Sequence, residues 1–460
     1  MKKSKLIRAT VCCLPVLAAL TAAMLFAQDL HLWITGAGGR PALAVPDLRG
    51  TGAAEPLMAA FNSTLYSDLQ SSALFDMKAK SLFPLSNPQQ PSDLRPEDAR
   101  QGYALPDWAG APTGATHLVF GYTAVSNGAL ALYGWVYDTR QPVQSAQLMT
   151  ERLAGTPTEA DAIRLAHQFA SDIILKFGGS ASLLGSRIYF VSSRGASGKT
   201  GTELWVMDWD GNNQKQLTFL RGQVLYPAVS PDASRIAFTI FPATGDPRPR
   251  IGMVSTDTGR TLNFYNQAAS LNAAANFTPD GTHVFYSSSA SGSAQIYTAA
   301  VDGQGFTRVT DSRGNPTEPK VNPRNAGSLL FVQGPGNEQI YRMNSEGAGI
   351  ERLTNGEGEA SNPSWNPDGQ HIAFAWTRGY QAGKFNIFVM DIGSHDFEQL
   401  THGAGNERNE NPVWAPDGKH IVFSSTRTGS SQLYTMLADG TQVKQLTTQG
   451  KNQYPVWGVK

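Results

Sequence analysis

From about residue 187 to the end of the chain, apolar and polar residues alternate with a period of two in short runs separated by turn residues, the pattern of half-buried β-strands. The clearest stretch reads PSWNPDGQHIAFAW from Pro363 and continues as NIFVMDIGSHDFEQLT to Thr401. The same phrase returns as PVWAPDGKHIVFSS from Pro412 and QLYTMLADGTQVKQLT to Thr447. Pro-Asp-Gly is a tight turn: proline presets φ, aspartate tolerates turn geometry and glycine accepts positive φ. Each phrase therefore predicts four strands: the apolar run before the turn, IAF or IVF after it, then NIF or QLY, and finally EQLT or KQLT.

Weaker copies begin with PAVSPDASRIAF at Pro227, ANFTPDGTHVFY at Ala275 and PKVNPRNAGSLLF at Pro319, so the unit recurs every 43 to 49 residues. Four short strands at that period predict the blades of a β-propeller. The last copy, PVWGVK from Pro455, holds one strand only. Its missing partners stand at the start of the array, in RIYFVSS from Arg187, LWVMDWDG from Leu204 and KQLT to Thr218. The final strand is therefore expected to complete the first blade and close a ring of six, which shields the sheet edges.

Between Asp29 and Phe177 the texture is different. LHLWIT and ALAVPDL read as strands, with Gly36, Gly38 and Gly39 bending the chain between them. A helix is predicted from about Ala54 to Ser72, with Leu57, Phe61, Leu65 and Leu69 on one face. Residues 79–115 are proline-rich and read as a long irregular crossing. HLVFGYTAV, ALALYGWVYD and AQLMTERL follow as strands. A second helix is predicted to open on a capping box, Thr156-Pro157-Thr158-Glu159, and to bury Ala162, Leu165, Ala166, Phe169 and Ile173 before ending at Gly178-Gly179. The expected architecture is mainly β: a six-bladed β-propeller at 186–460, preceded by a smaller α/β domain at 28–177, with 178–185 as linker.

Length and charge sharpen this picture. A chain of 460 residues has material for two domains. Residues 1–27 read as an export signal, with Lys2, Lys3, Lys5 and Arg8 ahead of an apolar run from Ala9 to Ala27. Cleavage after Leu25-Phe26-Ala27 fits best and Thr21-Ala22-Ala23 also fits; an uncleaved membrane anchor is the alternative. Both cysteines, Cys12 and Cys13, fall in this segment, so the exported chain has no disulfide or thiol chemistry. A chain starting at Gln28 carries 33 basic and 37 acidic side chains, net −4, which excludes a general electrostatic grip on nucleic acid.

Candidate chemistry is sparse. GASGKT at Gly195–Thr200 resembles the end of a phosphate-binding loop, but Ser193 stands where its first glycine belongs and the segment joins two strands. No G-x-S-x-G elbow is present. His283, His371 and His420 occupy one repeat slot, as a packing or solvation position does, and Asp232, Asp280, Asp368 and Asp417 are accounted for as turn formers. This reading assigns no catalytic residue, no cofactor and no metal. What remains is a surface: the loops entering the innermost strands, LRGQVLYP, YNQAASLNAAANF, DSRGNPTEP, NGEGEASNP, HGAGNERNENP and TQGKNQYP, ring one mouth of the channel. Polar loops on a stiff ring suit docking of a protein or peptide. An exported propeller enzyme using its channel as a substrate pocket is the alternative.

Several particulars together resemble the TolB family, periplasmic propeller proteins of the Tol–Pal envelope system. They are the export signal, G-x-x-x-RP-x-x-x-VP from Gly36 to Pro46, GYTAVSNGALALYGWVYDT from Gly121, the helix Ala166–Ile174 leading into RIYFVSS, the loop Asn315–Pro319 and the terminal PVWGVK. The resemblance implies a periplasmic adaptor that is not an enzyme. By position, Gln28, Asp29, Leu30, His31, Leu32, Trp33 and Ile34 would face TolA, an inner-membrane protein. Asn272, Ala274, Thr317 and Glu318 at the channel mouth would face Pal, an outer-membrane lipoprotein that otherwise grips peptidoglycan. The implied role is support of outer-membrane integrity and constriction during division.

Overall fold

The computed structural model describes residues 40–96, 102–179, 183–196, 198, 201–334 and 336–459. The expected export signal, the strand LHLWIT and the segment Gln28–Ile34 lie outside the described residues. The chain forms two compact units that meet in sequence at Leu184 and Gly185.

The first unit is a mixed sheet with helices. Its elements are β1 (Ala42–Ala44), β2 (Arg49–Thr51), α1 (Met58–Ser71), β3 (Asp76–Met77), β4 (His117–Ser126), β5 (Ala129–Asp138), β6 (Gln147–Gly155) and α2 (Glu159–Lys176). Strand order is β3-β1-β4-β5-β6, with β2 also beside β4. The short strands β1, β2 and β3 pair in parallel, whereas β4, β5 and β6 form an antiparallel meander. Both helical stripes face one side of this sheet as their 3.6-residue spacing demands: Phe61, Leu65 and Leu69 of α1 and Ala166, Phe169 and Ile173 of α2 are fully buried. At Gly134 of β5 a Cβ would lie 2.4 Å from the Phe169 ring, so glycine is what lets α2 approach.

Two expectations for this unit need correction. The capping box of Thr156 with Glu159 is not formed. Thr158, with extended backbone (φ −124°, ψ 155°), is the N-cap. Its Oγ1 accepts from Asp161 N at 3.3 Å, while the Asp161 carboxylate accepts from Thr156 N at 2.5 Å and Thr156 Oγ1 at 2.6 Å. Pro157 therefore precedes the cap instead of following it, and the acidic partner is the third helical residue. The stretch 79–115 is also more than a crossing. Short 3-10 turns at Lys80–Leu82 and Pro91–Asp93 and one α-turn at Pro106–Ala109 lay Leu94, Leu105 and the fully buried Trp108 over Leu118, Phe120 and Tyr137 on the second face of the sheet.

In the second unit, the described residues form six four-stranded antiparallel sheets. The innermost strands of blades 2 to 6 are Gly222–Val229, Asn272–Phe277, Thr317–Val321, Ala360–Trp365 and Asn409–Trp414. Blade 1 takes its innermost strand from the far end of the chain. Asn452–Gly458 pairs antiparallel with Arg187–Ser192 in the register Asn452↔Ser192 to Gly458↔Arg187, as the repeat pattern predicts. Apolar clusters fill every junction between blades. Ile188 and Phe190 meet Val422 and Leu433 where the sixth blade reaches the first, and Tyr189 and Val206 meet Val224 and Ile236 at the next junction. GASGKT falls within the hairpin between Arg187–Ser192 and Glu203–Asp208, with residues 197, 199 and 200 outside the described residues.

The Pro-Asp-Gly turns lie at the ends of the innermost strands opposite the mouth. Asp368 Oδ1 accepts from Gln370 N and His371 N at 2.8 and 3.1 Å, and Asp417 Oδ1 from Lys419 N and His420 N at 2.9 and 3.1 Å. The slot histidines complete two of these turns, with His371 Nδ1 2.6 Å from Asp368 Oδ2 and His420 Nδ1 2.7 Å from Asp417 Oδ2; His283 instead meets Thr282 Oγ1 at 2.8 Å and is exposed.

Deleting residues 452–459 removes blade 1's innermost strand and uncovers the edge of Arg187–Ser192. The expected result is a Tm lower by at least about 5 °C in calorimetry, about 2 kcal/mol or more for a unit of this size, with faster amide exchange at Arg187–Ser192. Unchanged Tm and exchange would refute closure by this strand.

Candidate functional site: the axial channel and its mouth

Each innermost strand is bent at one place. Five of them read x-Pro there, at Tyr226-Pro227, Glu318-Pro319, Asn362-Pro363, Asn411-Pro412 and Tyr454-Pro455, and blade 3 reads Ala274-Ala275. Proline has no N–H to give to a ladder and belongs at edges and bulges. Pairing with the second strand slips at this point in every blade, between Leu225 and Ala228, Ala273 and Asn276, Thr317 and Lys320, Ser361 and Ser364, Glu410 and Val413, and Gln453 and Val456. The first residue of each pair has left-handed backbone, with φ 49° at Tyr226, 53° at Ala274 and Glu318, 52° at Asn362, 54° at Asn411 and 49° at Tyr454. Such a conformation costs a non-glycine residue about 1–2 kcal/mol. All six blades accept it at the same level of the ring.

Five of these six residues line a cavity of about 310 Å³ on the propeller axis, joined by Asn276, Lys320, Ser364 and the indoles of Trp365, Trp414 and Trp457. The rings of Tyr226 and Tyr454 lie 4.9 Å apart. The Glu318 carboxylate accepts from Asn362 N at 3.2 Å and Asn362 Nδ2 at 3.4 Å, and the Tyr226 hydroxyl donates to it. The Tyr454 hydroxyl is hydrogen-bonded to that of Tyr226. Blades 1, 2, 4 and 5 thus meet in one polar network.

The channel shifts the affinities of its groups for protons. Burial raises the pKa of Glu318, opposed by Lys320, Asn362 and Tyr226. Burial lowers that of Lys320, opposed by Glu318. The Glu318 charge, with burial, pushes the Tyr226 phenol far up, and burial with the same charge takes Tyr454 to about 12. At the blade 4–5 rim, burial and the charges of Glu318 and Glu359 push Glu338 to about 7, aided by a hydrogen bond to Glu359. Among the described residues no three His, Cys, Asp or Glu side chains group as a metal site requires.

The mouth residues expected from the sequence fall on two neighbouring blades. Asn272 and Ala274 are in blade 3 and Thr317 and Glu318 in blade 4. Asn272 is only 3 % exposed and donates through Nδ2 to Gln267 O at 2.9 Å, so it shapes its loop from within. Ala274 donates through N to Thr239 Oγ1 at 2.9 Å. Thr317 opens its strand and is partly exposed, and Glu318 points inward as described. Gln28–Ile34 lie outside the described residues.

Other mouth features carry no motif. Phe219, 75 % exposed, stands in the loop from blade 1 to blade 2. Arg194 lies 4.0 Å from the centre of the Trp205 ring, Arg378 4.9 Å from those of Trp376 and Phe397, and Arg427 4.6 Å from that of Tyr434. These cation–π stacks brace the loops that follow the second strands. Their signal is an arginine two residues past the second strand in these three blades.

A closed ring of six blades with a polar axial channel, preceded in sequence by a small α/β unit, defines a six-bladed β-propeller protein. A family model described as the TolB β-propeller domain matches residues 175–379 and 354–460, and the chain belongs to this family. It is 30 % identical over 219 residues to a "Protein TolB homolog" of Chlorobium chlorochromatii, covering 48 % of this chain and 46 % of that protein. It is 29 % identical over 238 residues to a "Tol-Pal system protein TolB" of Bordetella pertussis, covering 43 % and 52 % respectively. The chain thus spans about half the length of these relatives. A crystal structure of TolB from Acinetobacter baumannii shares the fold, with TM-score 0.71 at 23 % identity over 91 % of this chain and 97 % of that one.

Glu338 supplies a test of the mouth's electrostatics. Folded, it keeps its proton up to about pH 7, whereas unfolded it releases it near the ordinary value of 4.5. The folded state then binds more protons in that window, so stability falls as pH rises from about 4.5 through 7. Glu338→Gln should shrink the difference in Tm between pH 5 and pH 8. An unaltered difference would contradict the assignment.

Proposed function

We propose that this protein is a periplasmic protein–protein adaptor of the Tol–Pal system and not an enzyme. Residues 1–27 direct export. The mouth of the propeller channel docks a Pal-like outer-membrane lipoprotein around Ala274, Thr317 and Glu318, with Asn272 holding the blade 3 loop in shape. The segment Gln28–Ile34 engages a TolA-like inner-membrane protein, and the bridge so formed supports envelope integrity and constriction at division. Whether the segment is free to engage is coupled to what occupies the mouth, the two partners biasing one conformational equilibrium.

The observation that supports this reading most is the ring of six polar loops around a rigid channel in a chain of the TolB family. Stiff sheets hold such loops in place, so little ordering cost falls on binding. The exposed Phe219 and the partly exposed Thr317 supply an apolar and a polar contact on that rim.

Thr317→Arg adds bulk and charge at the rim while leaving the Glu318 network untouched. Pal from the same envelope should bind this variant at least about tenfold more weakly by calorimetry, the scale of one mismatched interface charge, with TolA binding unchanged. Unaltered Pal affinity would remove the mouth from the docking site.

A further inference from the structure

Lys320 is the one long cationic side chain in the wall of the axial cavity. The matching positions of the other blades hold Ala228, Asn276, Ser364, Val413 and Val456, all short or uncharged. Glu318 stands two residues away on the same strand, yet its carboxylate is already served by Asn362 N, Asn362 Nδ2 and Tyr226. Among the described residues the Lys320 ammonium has no ion pair and no hydrogen bond, only the through-space attraction of Glu318. The side chain is half-buried, and its three donors have no protein acceptor, so they are left to whatever enters the cavity.

The space around it is built for something other than a second protein ion. A cavity of about 310 Å³ is at the small end for ligand sites. Its walls include Tyr226 and Tyr454 and the indoles of the innermost strands, two of which have their N–H engaged: Trp365 Nε1 donates to Lys320 O at 2.9 Å and Trp457 Nε1 to Val413 O at 3.3 Å. Asn276 Oδ1 accepts from Val321 N at 2.9 Å, and Asn411 Oδ1 from Ser424 Oγ at 2.9 Å, which turns both amides' Nδ2 groups into further donors. With the Lys320 ammonium, these amides add donors to the cavity wall.

We infer that the axial channel binds a small organic monocarboxylate, its carboxylate paired with Lys320 and its apolar body lying against Tyr226, Tyr454 and the indole walls. A single negative charge is specified because Glu318, on the same strand, repels a second. The site stands on the cavity and its donors alone and is independent of which protein docks at the mouth.

Three probes of one shape separate the alternatives: phenylacetate, its neutral amide phenylacetamide and the cation phenethylamine, each titrated into the full-length mature protein by calorimetry and tryptophan fluorescence. Phenylacetate is expected to bind at one site per chain, the amide more weakly and the amine not at all. Lys320→Met should weaken phenylacetate by roughly tenfold or more, the loss of one charge-assisted hydrogen bond, with Tm unchanged or raised because a half-buried charge without a protein ion pair is removed. Glu318→Gln, which removes the repelling charge and keeps the amide contacts, should tighten phenylacetate. Preference for the amine, indifference to Lys320→Met, weaker binding by Glu318→Gln, or no binding by any probe would each overturn the assignment.

Discussion

The molecule depends on a bend in the innermost strand of each blade. A strand that paired without interruption would send alternate side chains into its neighbours and leave a plain wall on the axis. The bulge inserts one residue, turns the chain through left-handed backbone and delivers a chosen side chain into the channel. Proline in five of the six blades forbids the alternative register, since it has no N–H for the ladder. The strain is spread over six sites and held by the sheets behind them, the usual circumstance in which such conformations persist.

Closure makes the bend useful. Pairing of Asn452–Gly458 with Arg187–Ser192 joins two segments far apart in sequence, and the apolar junctions on either side of that blade fix its rotation. Tyr454 is thereby brought beside Tyr226, with Glu318 bonded to Asn362 of the neighbouring blade. Enclosure then sets the chemistry. One carboxylate and one ammonium on a single strand keep the channel near neutrality, yet neutral donors take the carboxylate and the ammonium is left to the cavity.

Much of this was readable from the chain. Pro-Asp-Gly turns with alternating strands carried the blade count, the closing strand and the location of the mouth, because turn chemistry and period-two burial are local properties. The α1 and α2 stripes were legible for the same reason. The helix cap was misplaced by two residues, since Thr156 and Thr158 both suit a cap and only the backbone path around Pro157 chooses between them. The stretch 79–115 hid its role because aromatic cover such as Trp108 has no periodicity. The channel network was invisible: Tyr226, Glu318, Asn362 and Tyr454 come from four blades, and nothing in a linear pattern marks Lys320 as facing an axis. Glu318 could be set at the mouth by family resemblance, but its inward turn follows only from the bulge.

The bend is tested most directly at Ala274, whose side chain makes no hydrogen bond that could confuse the result. In an ordinary strand Ala→Gly destabilises by roughly 0.5–1 kcal/mol through lost chain restriction. At φ 53° the sign reverses, because glycine adopts that backbone without strain. Urea unfolding of Ala274→Gly should therefore show equal or greater stability than the parent, and Ala274→Val a marked loss. A destabilised glycine variant beside a tolerated valine would contradict the bent-strand account of the channel.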